Sequence, residues 1–180
     1  MQVLSRQRGV SLIEVLVAML IFSVGVLGIA LMQIKGSQFS KQAGSRTVAV
    51  LQARSLADAM RANPAGVYGV ATEAEIAGKK GDLSGSYYLY DGTAAPDPAS
   101  CSGACGQAKS DLAAWLKELR AGTSAPVSSD GSTSNPSGLA TVTVNTDNTG
   151  TLVIASSWNG MNPNSSGVST NDTYRFDFQP

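Results

Sequence analysis

The chain has 180 residues, with thirteen basic and thirteen acidic side chains and no histidine. A net charge of zero gives no bulk field to draw a polyanion, so no nucleic-acid partner is expected. The missing histidine removes the commonest general base and the commonest metal ligand, and two cysteines alone do not make a four-ligand zinc site, so neither metal nor cofactor is expected.

Residues 1–9 are short, polar and positive, with Arg6 and Arg8 ahead of an apolar run from Val10 to Met32. Val15 to Met32 carries no charged side chain. That uncharged part is ~27 Å of helix and Val10 to Met32 is ~34 Å, enough to cross a hydrocarbon core of ~30 Å. Positive charge before a span favours holding that end in the cytoplasm, which places the long C-terminal part on the other side. From Val10 onward eleven basic residues face thirteen acidic ones. A secretory signal fits the basic start, but the run is longer than an apolar core of ~7–15 residues, contains Glu14 and ends at no small-x-small site. Two readings remain: an uncleaved signal anchor, or a chain cut before the run, between Gly9 and Val10. Gly9 has no Cβ, which suits a protease subsite or a close backbone approach; a plain linker glycine is the bland alternative.

Arg8-Gly9-Val10-Ser11-Leu12-Ile13-Glu14-Val15-Leu16-Val17-Ala18 resembles the class III signal of type IV pilins and type II secretion pseudopilins. That pattern is a basic leader, Gly, an aromatic, Thr or Ser, Leu, an aliphatic residue and Glu. Here Val10 stands where the family usually has Phe. The resemblance implies that a prepilin peptidase cuts after Gly9 and methylates the new amine on Val10. A charged carboxylate in hydrocarbon costs ~2.5–3.5 kcal/mol, so Glu14 should seek a cation. The nearest within one chain is the amine of Val10 after cleavage. In a filament it is the amine of a neighbouring subunit, as the resemblance implies, and the pair would set axial register. The alternative is an interfacial Glu14 facing lipid headgroups.

Gly25 and Gly28 interrupt the run at ~1 kcal/mol each relative to alanine. They are candidate points of local melting in a filament or, with equal weight, points of close helix packing. From Gln33 to Asn63 the chain turns amphipathic. Ala49, Ala53, Leu56 and Met60 fall on one helical face, and Lys41, Arg46, Arg54, Asp58 and Arg61 supply the polar surface. Arg54 and Asp58 form a predicted i,i+4 pair. Asn63-Pro64 ends the helix, because the residue before proline disfavours the helical region. A helix from Ser11 to Ala62 is ~78 Å long. Asp58-Ala59-Met60-Arg61-Ala62-Asn63-Pro64 is similar to a segment of PilV-type minor pilins. The bland reading makes Ala59 and Met60 core, and Asn63-Pro64 a cap and stop.

Glu73 to Lys79 suggests a short helix, and Ser86 to Tyr90 reads as a strand from its aromatic enrichment. Its tyrosines suit packing against the helix better than a binding surface. Asp91 to Gly106 is a loop holding Cys101 and Cys105. A structural disulfide, free thiols and redox chemistry are all open, with the disulfide favoured on the oxidising side of a membrane. Leu112, Trp115, Leu116 and Leu119 predict a helix over Lys109–Leu119, with Ser110 as N-cap and Gly122 as stop. Trp115 suits a core anchor better than a ligand platform. A helix with Asp and Trp after a cysteine loop also resembles PilV-type heads. Gly122 to Gly138 reads as a mobile loop. Val142 and Val144, then Leu152, Ile154 and Trp158, then Tyr174, Phe176 and Phe178 alternate as three strands of an antiparallel meander. Asp147–Gly150 is the first turn, and Asn159–Asn171 a polar connection.

The expected fold is α+β and type IV pilin-like: a long N-terminal helix, transmembrane then amphipathic, packed on a small antiparallel sheet. The expected segments are a leader at 1–9, a membrane or filament-core helix at 10–32, its amphipathic half at 33–63 and an extracytoplasmic head at 64–180. About 115 residues in that head suffice for one small core. The resemblance implies a minor pilin in the bacterial inner membrane, crossing it once, with a cytoplasmic N-terminus and periplasmic head before it enters the pilus (fimbrium). Its partners would be prepilin peptidase, the assembly platform, the major pilin and other minor pilins. A type II secretion pseudopilin is the alternative from the same superfamily. A membrane-anchored periplasmic binding module is the alternative of another class, since loops can carry such sites. An enzyme is not expected, as no nucleophile motif or metal cluster is present.

Overall fold

The computed structural model describes residues 11–79, 81–123, 140–147, 150–160 and 170–180. Helix α1 spans Leu12–Ala62 and runs unbroken through Gly25 and Gly28. The chain divides into two compact units, one ending at Ser40 and the other Lys41–Pro180.

The first unit is helical from Leu12 onward. It is long and apolar enough to cross a membrane, and none of that apolar stretch is buried. Leu12, Leu20, Phe22 and Met32 are all exposed. A helix apolar all round needs cover from lipid or from other helices.

The second unit builds its own core. Its part of α1 buries Ser45, Ala49, Ala53, Leu56, Ala57 and Met60, at the three- and four-residue spacing of one helix face. Most of these are small, so neighbours come close. A Cβ added at Gly122 would lie 2.5 Å from Val48 Cγ1. Helix α2 (Pro64–Tyr68) starts on proline, whose fixed φ suits a first helical position. It ends at Gly69, which has φ +64° and leaves no room for a Cβ beside the Gly85 carbonyl. A 3-10 turn follows at Glu73–Gly78, another at Pro98–Ser100, and then helix α3 (Gly103–Gly122).

Strands β1 (Ala140–Val144), β2 (Leu152–Gly160) and β3 (Thr170–Phe178) form an antiparallel sheet in the order β1-β2-β3. Ala140 pairs with Ser156, and Leu152 pairs with both Val144 and Phe178. This register puts Val142, Leu152, Ile154, Trp158 and Phe178 on the inner face. They pack in one core with Leu56 and Met60 of α1 and Leu112, Leu116 and Leu119 of α3. The arrangement fits the α+β, type IV pilin-like expectation.

Five local expectations are corrected. Ser86–Tyr90 is not a strand: Ser86 N–H donates to Leu83 O and Tyr87 N–H to Gly66 O, and only Tyr90 bridges to Val142, at 2.9 and 2.8 Å. Turn bonds hold its backbone while its aromatic rings enter the core. Helix α3 starts at Gly103, six residues before the expected Lys109, with Ser102 rather than Ser110 at the cap position. Gly122 lies within that helix and Thr123 caps it, its N–H donating to Leu119 O at 3.0 Å. Asp58 pairs with Arg61 one turn on, at 2.6 Å, rather than with Arg54. The polar connection shrinks from both ends as β2 reaches Gly160 and β3 starts at Thr170. The expected loop at Gly122–Gly138 lies outside the described residues from 124 on.

Candidate processing and assembly site

Gly9 and Val10 lie outside the described residues. Glu14 occupies the first turn of α1, where the partial positive charge of the helix N-terminus favours a carboxylate by about 0.3–1 kcal/mol. Its backbone N–H donates to Ser11 O at 2.9 Å, so the turn is formed. Its side chain is exposed, and among the described residues it has no cationic partner. Glu14, Val15, Ala18, Met19 and Phe22 line an open groove along α1 of ≈ 530 Å³. A lone carboxylate therefore borders an apolar helix surface, a geometry that rewards a cation brought by whatever covers that surface.

The Asp58–Pro64 segment has a separate task in the second unit, one residue at a time. Asp58 holds Arg61, and the Arg61 guanidinium lies 5.5 Å from the centre of the Phe178 ring, near the end of β3. Met60 is fully buried. Asn63 joins three further pieces. Its Oδ1 accepts from Gly66 N–H at 3.2 Å, and its Nδ2 donates to Ala104 O at 2.9 Å and to Tyr88 Oη at 3.3 Å. Pro64 opens α2. The Asp58–Pro64 residues thus fix where α1 ends.

Tyr88 is fully buried and donates its hydroxyl proton to Asp111 Oδ2 at 2.5 Å, while Gln107 Nε2 donates to Asp111 Oδ1 at 2.7 Å. Burial, then the bond to Asp111, pushes the Tyr88 phenol well above its ordinary range. Burial also raises Tyr90. Tyr88 and Tyr90 belong to the core and Tyr87 packs against it, so the tyrosines serve packing. Trp115 is a core residue as well. In the sequence Asn63 has the local pattern of a cap and stop, and Asp111 has no evident partner. No local pattern signals either bond, because the partners lie 41 and 23 residues away.

Cys101 and Cys105 are joined by a disulfide, with Cα atoms 5.8 Å apart. Among the described residues no group of three or more Cys, Asp or Glu side chains could hold a metal ion. An open groove of ≈ 680 Å³ between β1 and the Asp91–Asp97 segment is lined by Tyr90, Pro96, Lys109, Val142 and Val144, among others.

Residues 4–30 match the Prokaryotic N-terminal methylation motif. No curated protein and no solved structure matches the chain. The motif is that of prokaryotic prepilin-type proteins, and it supports a type IV pilin-like chain cleaved and methylated by prepilin peptidase. It points to a structural pilin rather than an enzyme. With the apolar helix from Leu12, it fits a single-pass, membrane-anchored pilin.

Proposed function

We propose that this chain is a PilV-type minor pilin, cut after Gly9, N-methylated on Val10 and taken from the bacterial inner membrane into a type IV pilus. It works there with other minor pilins and the major pilin to start or assemble the filament. Its N-terminus is cytoplasmic and its head periplasmic until an assembly platform extracts it. Residues 10–32 form the membrane and filament-core part, 33–63 the amphipathic half and 64–180 the head. Glu14 pairs with a methylated N-terminal amine, its own or a neighbour's. The observation that carries this reading is the methylation motif at residues 4–30 leading into an apolar helix with one carboxylate in its first turn. Burying that carboxylate without a cation is costly, so a subunit in the wrong axial position is disfavoured.

The test is Glu14→Ala in a piliated host. The variant should be processed and retained in the membrane fraction but lost from sheared pili. Unchanged incorporation into filaments would overturn the role of Glu14. Gly9→Leu should leave a precursor of full length on a gel; mature-size protein in that background would overturn the cleavage site. Loss of secretion with normal piliation in a deletion strain would instead favour the pseudopilin reading.

A further inference from the structure

The end of α1 is held to the rest of its unit by a joint that runs through the disulfide. Ala104, whose carbonyl accepts from Asn63 Nδ2 at 2.9 Å, lies inside the short ring closed between Cys101 and Cys105. That ring overlaps the first turn of α3. Ser102 at the cap position makes no side-chain bond to the helix, so N-terminal N–H groups there lack a local acceptor. Gly106 lowers helix preference by about 1 kcal/mol, and Gly103 enters the helix at φ +62°, a left-handed conformation that favours glycine. Packing across the joint is close on both sides. A Cβ at Gly106 would lie 2.8 Å from Cys101 O, and one at Gly66 would collide with Asn63 and lie 3.1 Å from Ala104 O.

We propose that the Cys101–Cys105 disulfide is a redox-sensitive lock on the junction of α1, α2 and α3. Closed, it holds the first turn of α3 so that Ala104 O meets Asn63. Opened by a dithiol, it frees that turn, and Asn63 loses the shorter of the two bonds that orient its amide, keeping the 3.3 Å bond to Tyr88 Oη. In the opening step a reductant thiolate attacks one cysteine sulfur and displaces the other as thiolate. The reductant's second thiol then displaces the remaining cysteine and closes its own disulfide. Two electrons pass to the protein, and with two protons Cys101 and Cys105 end as thiols. With Asn63 held less firmly, the bond from Gly66 N–H to Oδ1 loosens, and the effect reaches α2, well outside the ring. A pull along α1 would load this joint at the helix's end together with the packed face from Ala49 to Met60. An oxidised subunit would then be the one fit for extraction into a pilus, a consequence that rests on the pilin reading, whereas the lock itself does not.

The experiment is hydrogen exchange on the full chain in detergent micelles, oxidised and after reduction by dithiothreitol and alkylation. The Gly66 and Val67 amides, bonded to Asn63 Oδ1 and Asn63 O, report the joint. They should exchange about tenfold faster once reduced, as loss of an orienting hydrogen bond of roughly 1.4 kcal/mol predicts. Amides of the β2–β3 ladder should keep their rate. Asn63→Ala should give the same acceleration while oxidised, and reduction should add little to it. Acceleration confined to residues 98–106 would overturn the lock, as would equal acceleration throughout the sheet, which marks a general stabiliser. Free thiols in the protein as purified from the periplasmic side would also overturn it.

Discussion

The two stretches of helix α1 share one backbone conformation and have opposite surroundings. Up to Ser40 the large apolar side chains are open, Phe22 at 72% exposure and Leu20 at 66%. From Lys41 on, small and medium apolar residues on one face are closed over, Ala49 and Met60 at 0%. An isolated helix draws most of its stability from tertiary packing of its apolar face. The second stretch finds that packing within its own unit. The first needs it from outside, and an exposed apolar surface of this size marks a membrane or subunit contact.

The sharpest way to break the comparison is one substitution made in both stretches. Leu56→Ala should destabilise the head by about 2–5 kcal/mol, as for other buried leucines. Leu20→Ala should leave its unfolding midpoint unchanged in micelles. Denaturant titration followed by tryptophan fluorescence reads both, and a comparable loss from Leu20→Ala would erase the distinction.

Asn63→Ala comes next, at about 1–3 kcal/mol, since it removes a cap and strands the acceptor groups it served. Asn63→Asp keeps the Oδ1 acceptor but loses both Nδ2 bonds, to Ala104 O and to Tyr88 Oη, and sets a carboxylate oxygen against the Ala104 carbonyl, so it should cost no less.

Alkali probes the core through Tyr88. Its phenol is raised in the folded state from an ordinary value of 10.0, so the folded protein keeps a proton that the unfolded chain releases. Stability from this group is full below pH 10 and falls as pH rises past it, by about 1.4 kcal/mol per pH unit. Tyr90 is raised as well and adds to the fall. Tyr88→Phe should make the decline above pH 10 shallower in thermal melts at stepped pH; an unaltered slope would place the effect elsewhere.

The smallest effect belongs to the Asp58–Arg61 pair. Both side chains are mostly exposed, at 74% and 59%, so Asp58→Asn should cost under about 1 kcal/mol. Arg61→Ala should cost somewhat more, because it also uncovers the Phe178 ring.

Features with local causes could be read from the sequence. The apolar run, the stop at Asn63-Pro64 and the alternation in β1, β2 and β3 depend on neighbours in the chain, and their positions were legible to within a few residues. Features fixed at a distance were not. Ser86–Tyr90 has strand composition, yet its backbone bonds to Leu83, to Gly66 on α2 and to Val142 on β1, while the Tyr88 hydroxyl reaches Asp111 on α3. The first turn of α3 was hidden by Gly106, which argues against helix, and by Gly103, which enters at φ +62°, in a turn that overlaps the Cys101–Cys105 ring. Glu14 was legible as a lone carboxylate in an apolar run, since that signal needs nothing else from the fold. The bonds of Asn63 were not, because a cap-and-stop pattern explains the residue locally and leaves no sign of Ala104.

The most direct test of prepilin processing is the mass of the N-terminal peptide from protein made in a host with prepilin peptidase. The peptide should begin at Val10 and carry one methyl group on its amine, and it should begin at Met1 when the peptidase is deleted. An N-terminus at Met1, or at any residue other than Val10, in the peptidase-positive host would contradict it.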